Sequence, residues 1–259
     1  MNVKIRHTIA YKLYDDIDMV NAHFVILYNL CKNNNIKAKN LKYYIDNRNN
    51  LYNALSKSNN ISKQECKMLI ICILYGGFYK YYKLKYKPKW LLDLIKEINI
   101  VVRKICNLYP NLFVEKKVKN KSKKIYSHIS YILTTYENLI LNYMCLYFLK
   151  NSIINNTFVL CFDGIMIPKN TDILVHLKNC EKFIQKEINF SINLIVKPMN
   201  NYLFNPDKLK NDKLFYLKTN LKYLYFKYFY NNVYLNICYD KNIILFIILI
   251  SLICLFLKY

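Results

Sequence analysis

Most of the chain spaces its apolar residues at the period of a helix, and only short stretches alternate residue by residue. Ala10–Ile17 predicts a first strand that runs into "DMVNAHFVILYNLCKNN", a helical pattern closed by the polar run Asn33–Asn40. A second helix is expected around Leu41–Ser56. A third begins after Ser62, a good N-cap residue, and stops at Gly76-Gly77. Trp90–Leu108 predicts an amphipathic helix ended by Pro110, and Tyr126–Leu149 predicts a long one. "TFVLCF" and "IMIP" read as two short strands meeting at Asp163-Gly164, a buried-strand hairpin with Asp163 at an exposed tip. A helix (Asp172–Glu187) and a strand (Ser191–Pro198) follow. Strands separated by helical excursions predict an α+β fold, a sheet domain carrying a helical insertion.

The pattern divides the chain at about residue 205. Residues 1–205 are expected to form one domain, and residues 206–259 a Lys-, Asn- and Tyr-rich extension. That extension ends in "IILFIILISLICLFL" (Ile243–Leu257), flanked by Lys241 and Lys258. The segment is a little short of the roughly 20 residues of a spanning helix. A membrane anchor and a buried helix both remain open for it. "VEKKVKNKSKK" (Val114–Lys124) is a charge run, either a solvated loop or a contact to a phosphate backbone.

Charge narrows the partners. Lys and Arg number 39 against 16 Asp and Glu, a formal net charge of +23, and a field of that sign attracts nucleic acid or anionic lipid. A hydrophobic fraction of 54% excludes wholesale disorder. The nine cysteines are scattered with no C-x-x-C pair, which speaks against a disulfide framework or zinc site and for small core residues in a reducing compartment. The opening "MNVKIRHTIAYKLYDD" lacks the apolar run of a secretory signal, so an intracellular protein is expected.

The chain holds only three glycines, Gly76, Gly77 and Gly164, and two kinds of chemistry gather beside them. Lys63, Lys67, Ile71 and Tyr75 stand four apart, a slowly drifting stripe on one helix face. A triphosphate along that stripe would meet Lys63 and Lys67 and bring its base to the Tyr75 ring, with Gly76 removing bulk for a second planar group. Asp16 and Asp18 lie two apart on a strand and so share a face, and Asp163 sits at the distant hairpin. Carboxylates brought together from distant sequence are hard oxygen ligands for Mg²⁺, and two such ions can clamp a phosphoryl transfer.

These segments resemble motifs A, B and C of the family A polymerases, the group of bacterial DNA polymerase I and the single-subunit phage RNA polymerases. "DIDMVNAH" (Asp16–His23) lies on motif A, with Asn21 where that motif has glutamate and His23 where it has arginine. Lys63-x₃-Lys67-x₇-Tyr75-Gly76 keeps the spacing of motif B, with Lys63 in place of arginine. Phe162–Gly164 sits in the place of motif C. The nearest likeness is to the divergent virus-encoded branch, in which such a domain occurs fused to a superfamily 3 helicase. The resemblance implies a palm-like antiparallel sheet flanked by helices, with a helical fingers insertion, adding nucleotides to a DNA template-primer from nucleoside triphosphates through Mg²⁺. It assigns the metal to Asp16 and Asp163, with Asp18 in reserve. It assigns the nucleotide to Lys63, Lys67, Tyr75, Gly76, Asn21 and His23, and it calls for a helicase partner or a chain that supplies a thumb. A second reading, a non-catalytic basic protein that binds nucleic acid or a membrane, accounts equally well for the charge and the apolar tail.

Overall fold

The computed structural model describes residues 3–77, 84–112, 121–154, 157–161, 163–169 and 172–199. The element order is α1 (Val3–Ala10), β1 (Tyr14–Met19), α2 (Ala22–Asn33), α3 (Lys39–Asn59), α4 (Lys63–Leu74), α5 (Lys89–Leu108), a 3₁₀ turn (Pro110–Leu112), α6 (Lys121–Lys150), β2 (Val159–Cys161), β3 (Gly164–Pro168), α7 (Ile173–Ile188) and β4 (Leu194–Lys197). The chain divides into two units, Ile9–Asn200 and a second made of Met1–Thr8 with Asn201–Tyr259. Of the second, only the start of α1 is described. The apolar segment 243–257 and residues 114–120 of the charge run lie outside the described residues, while Lys121 opens α6.

The larger unit is α+β. Its four-stranded sheet runs β2-β3-β1-β4, and every neighbouring pair is antiparallel. Strand alternation gives the sheet two unlike faces. Ile17, Met19, Ile165, Ile167 and Leu194 point into the main core with buried residues of α2 to α7. The opposite face carries Tyr14, Asp16 and Asp18 of β1, Gly164 and Met166 of β3, and Cys161 of β2. A smaller apolar group of Ala10, Cys161 and Met166 packs on that side.

Local chemistry sets the helix ends. Ser62 opens α4 with a reciprocal capping box: its hydroxyl accepts from the Glu65 amide at 3.1 Å, and Glu65 accepts from the Ser62 amide at 2.7 Å. Glu97 on α5 takes two donors from the start of α3, the Leu41 amide at 2.7 Å and the Asn40 side chain at 3.1 Å. Buried Asn29 on α2 pairs both ways with the backbone of Ser191, donating at 3.0 Å and accepting at 2.9 Å, which fixes the entry of β4.

The first strand differs from its expected span. Residues 3–10 are helical and β1 begins at Tyr14, because the alternation that fixes the strand is Asp16-Ile17-Asp18-Met19, with the apolar members in the core. The hairpin differs too. Val159 and Leu160 of edge strand β2 are exposed, and Asp163 is half-buried rather than at an exposed tip. Among the described residues no helix is long and apolar enough to cross a membrane.

Candidate functional site

The β1–β3 register decides which carboxylates meet. Asp18 stands opposite Gly164, at the hairpin, whereas Asp16 stands opposite Met166, one pleat further along. The Met19 amide donates to the carbonyl of Asp163 at 3.0 Å, which holds the turn against the end of β1. The Asp163 carboxylate thus lies close enough to Asp18 to help push its carboxyl up. The register brings Asp18, held in reserve by the motif reading, nearest to the hairpin, with Asp16 two residues along the same strand. Asp16 is 1% exposed and lies on the same face.

Gly164 makes this contact close. A Cβ there would strike the Ile17 carbonyl and stand 2.9 Å from Asp18 Oδ1. Its value is the missing side chain in a strand, not the turn conformation the sequence suggested. Burial is the main force that pushes the Asp18 carboxyl up, to about 6. The Lys197 ammonium, which pairs with Asp18 Oδ2, opposes that rise, and the nearby Asp163 carboxylate adds to it.

The α4 stripe runs from solvent into the core. Lys63 and Lys67 are exposed, and Ile71 and Tyr75 are partly buried. Tyr75 caps the helix, and its hydroxyl shares a hydrogen bond with His23 Nδ1. His23 Nε2 lies 3.2 Å from Glu137 Oε1, at ion-pair distance though off the line of a hydrogen bond. The carboxylate favours the proton on Nε2, leaving Nδ1 to accept from the phenol. Burial, then Glu137, pushes the Tyr75 phenol up from its ordinary value. Glu137 on α6 was missed in the sequence, although it is the one acidic residue between Lys121 and Lys150. The Tyr75 hydroxyl is thereby tied to His23, and the two rings meet edge-on with centroids 5.9 Å apart. Gly76 has φ +68, the left-handed region, and the Tyr126 ring fills the space a Cβ there would need. Asn21 caps α2 in the same region at φ 55, with its Nδ2 buried and without a hydrogen-bond partner.

The tie between Tyr75 and His23 sets the C-terminal end of α4 beside the β1–α2 turn. At 1.5 Å per residue, Lys67 and Lys63 lie about 12 and 18 Å back along the helix axis from Tyr75. Among the described residues no group of three or more His, Cys, Asp or Glu could hold a metal ion. Asp18 and Asp163 are the residues that could hold a Mg²⁺ ion. That ion takes one or two carboxylates and completes its shell with water and phosphate oxygens, and the two carboxylates here already crowd like charge together.

No family model matches the chain. Over 200 residues it is similar to "Putative helicase V13" of the Sputnik virophage. The two are 32% identical across 73% of this chain and 25% of the virophage protein, so the chain spans about a quarter of that relative's length. This likeness corrects the activity expected from the motifs. The relative is named a helicase, so the DNA polymerase reading, a template-directed nucleotidyltransferase, is set aside, and the likeness gives no support to the non-catalytic reading either. The physical reason is that motif order and spacing record how a scaffold places its side chains, and one scaffold carries many activities.

Proposed function

We propose that this chain is the nucleic-acid-engaging part of a helicase-type viral protein. It grips polynucleotide phosphates through Mg²⁺ held by Asp18 and Asp163 and through its lysine-rich surface. The single observation that carries the proposal is the placement of Asp18 and Asp163 together at one end of the β1–β3 pairing, on the sheet face away from the core, where burial and then the neighbouring Asp163 carboxylate raise the Asp18 carboxyl. When bound, Mg²⁺ would neutralise this pair and polarise a phosphate oxygen. Lys63 and Lys67 on α4 would meet further phosphates as exposed cations.

The likeness to the virophage protein supplies the helicase context. Three glycines placed as here cannot make a G-x₄-G-K-[ST] phosphate loop, so ATP-driven unwinding needs a motor beyond these residues. Neighbouring antiparallel strands that carry the carboxylates, backed by helices, support a palm-like description of the sheet, with the helices between β1 and β2 as its insertion. Every described cysteine is a free thiol, which supports action in a reducing compartment inside the infected cell.

The test is anisotropy of labelled single-stranded and forked DNA, with Mg²⁺ or with EDTA. Binding should contain a Mg²⁺-dependent part that the double variant Asp18→Asn, Asp163→Asn abolishes, and a salt-sensitive part that survives it. Binding indifferent both to Mg²⁺ and to the double substitution would overturn the proposal.

A further inference from the structure

Lys197 bears on the carboxylate pair in a way the motifs do not anticipate. It ends β4, stands directly opposite Asp16 in the register, and reaches diagonally so that its ammonium pairs with Asp18 Oδ2. The two partners are unequal. The Asp18 side chain is 11% exposed, while that of Lys197 is 42% exposed and lies on an edge strand. The carboxylate is fixed, and the ammonium sits on a flexible four-carbon stem with room to swing out. Beyond Asp18 the same sheet face stays open along β4, where Ile195 opposite Asp18 is 44% exposed. The other oxygen, Oδ1, faces the space left by the missing side chain of Gly164.

We propose that Lys197 is a displaceable counter-cation: it neutralises Asp18 while no divalent cation is bound, and on cation binding it leaves the carboxylate and takes a phosphate oxygen. This rests on the reading of Asp18 and Asp163 as a cation site. A divalent ion and an ammonium cannot both occupy one carboxylate edge without strong mutual repulsion, so the ion's arrival expels the lysine. The freed ammonium remains within one side-chain length of the ion and becomes a donor for the phosphate that the ion binds. Cation and phosphate binding are then coupled, each favouring the other. The phosphate could be terminal, as on a nucleotide, or a diester in a nucleic-acid backbone, and the chemistry at Lys197 is the same.

The experiment is a Mn²⁺ titration followed by electron paramagnetic resonance on the full chain. It is run alone, with inorganic pyrophosphate, and with oligothymidylate. Wild type should bind Mn²⁺ more tightly in at least one phosphate arm, and that arm identifies the source. Lys197→Met should bind Mn²⁺ alone on the order of tenfold more tightly, because no ammonium competes, and should lose the phosphate-dependent gain. Lys197→Arg, with the charge retained, should behave as wild type, and circular dichroism of both variants reports that the fold is kept. Equal Mn²⁺ affinity in wild type and Lys197→Met would overturn the proposal while leaving the cation site standing. A Lys197→Arg that matches Lys197→Met would overturn it too, by showing that packing and not charge is at work. Absence of Mn²⁺ binding in every variant would remove the cation site itself.

Discussion

Replacing Gly164 by alanine should destabilise the sheet by about 2 kcal/mol. The added Cβ would overlap the Ile17 carbonyl and lie 3.2 Å from Asp18 Cα, well inside the 3.5–4.0 Å of an ordinary carbon contact. Two of its nearest neighbours are backbone atoms of β1, and β1 is paired on both sides, to β3 and to β4. The neighbours cannot retreat by rotating a side chain, so the cost belongs at the upper end of core overpacking, about 3 kcal/mol. Alanine also restricts the unfolded chain more than glycine, which returns roughly 0.4–1 kcal/mol with the opposite sign. Steric overlap wins. For a unit of this size the net corresponds to a Tm lower by about 4–8 °C. Differential scanning calorimetry and urea denaturation check it, with the m-value held constant as evidence that the same unit unfolds. A Gly164→Ala variant within about 0.5 kcal/mol of wild type would refute the close approach of β1 and β3 on which the Asp18–Asp163 contact depends.

Three further outcomes are expected. Because the folded-state carboxyl of Asp18 is raised from 3.8 to about 6, the folded protein holds this proton more tightly than the unfolded chain; the associated stability is present below about pH 4 and is lost as pH rises through 6. Urea denaturation at pH 4 and pH 7 should therefore show wild type losing about 1–2 kcal/mol more than Asp18→Asn, a figure reduced for solvent screening, and a loss of equal size in both would contradict it. Asn29→Leu should cost about 2–3 kcal/mol, since it strands the amide and carbonyl of Ser191 in a partly buried site; unchanged denaturation midpoints would show that the tie is dispensable. Lys67→Ala, an exposed change, should leave stability within about 0.5 kcal/mol of wild type while lowering the salt slope of single-stranded DNA binding by about 0.7; an unchanged slope would remove Lys67 from the interface.

Long elements were legible where a periodic pattern met a chemical boundary. Ser62 announces the start of α4, Gly76 its end, and Pro110 the end of α5, and these positions lie within a residue or two of the observed limits. The hairpin at Asp163-Gly164 and its pairing with β1 in one antiparallel sheet were also readable. What the sequence could not supply was register. Alternation puts Asp16 and Asp18 on one face, but the choice between them depends on which residue of β1 meets the hairpin, and that is set by tertiary contacts such as the Met19 amide on the Asp163 carbonyl. Lys197 and Glu137 were invisible for the same reason, since each matters only through a neighbour far away in sequence. Gly164 was noticed for the right residue and the wrong cause. The activity was furthest from reach, because a matching order of motifs describes placement and not turnover.

The order of the strands has a consequence for how the chain folds. β1 lies near the start, yet both of its partners, β3 and β4, come after α2 to α6, and the tie from Asn29 to Ser191 spans 162 residues. Loop closure over such a separation is entropically costly and slow, and local helices form far sooner. During synthesis β1 must therefore wait, its edges unpaired, until the hairpin has emerged, and the helices α2 to α6 assemble first. The carboxylate pair then comes into being only with the last long-range step. No earlier intermediate holds Asp18 and Asp163 together, so recovery of divalent-cation binding during refolding should lag behind recovery of helix content and report completion of the sheet.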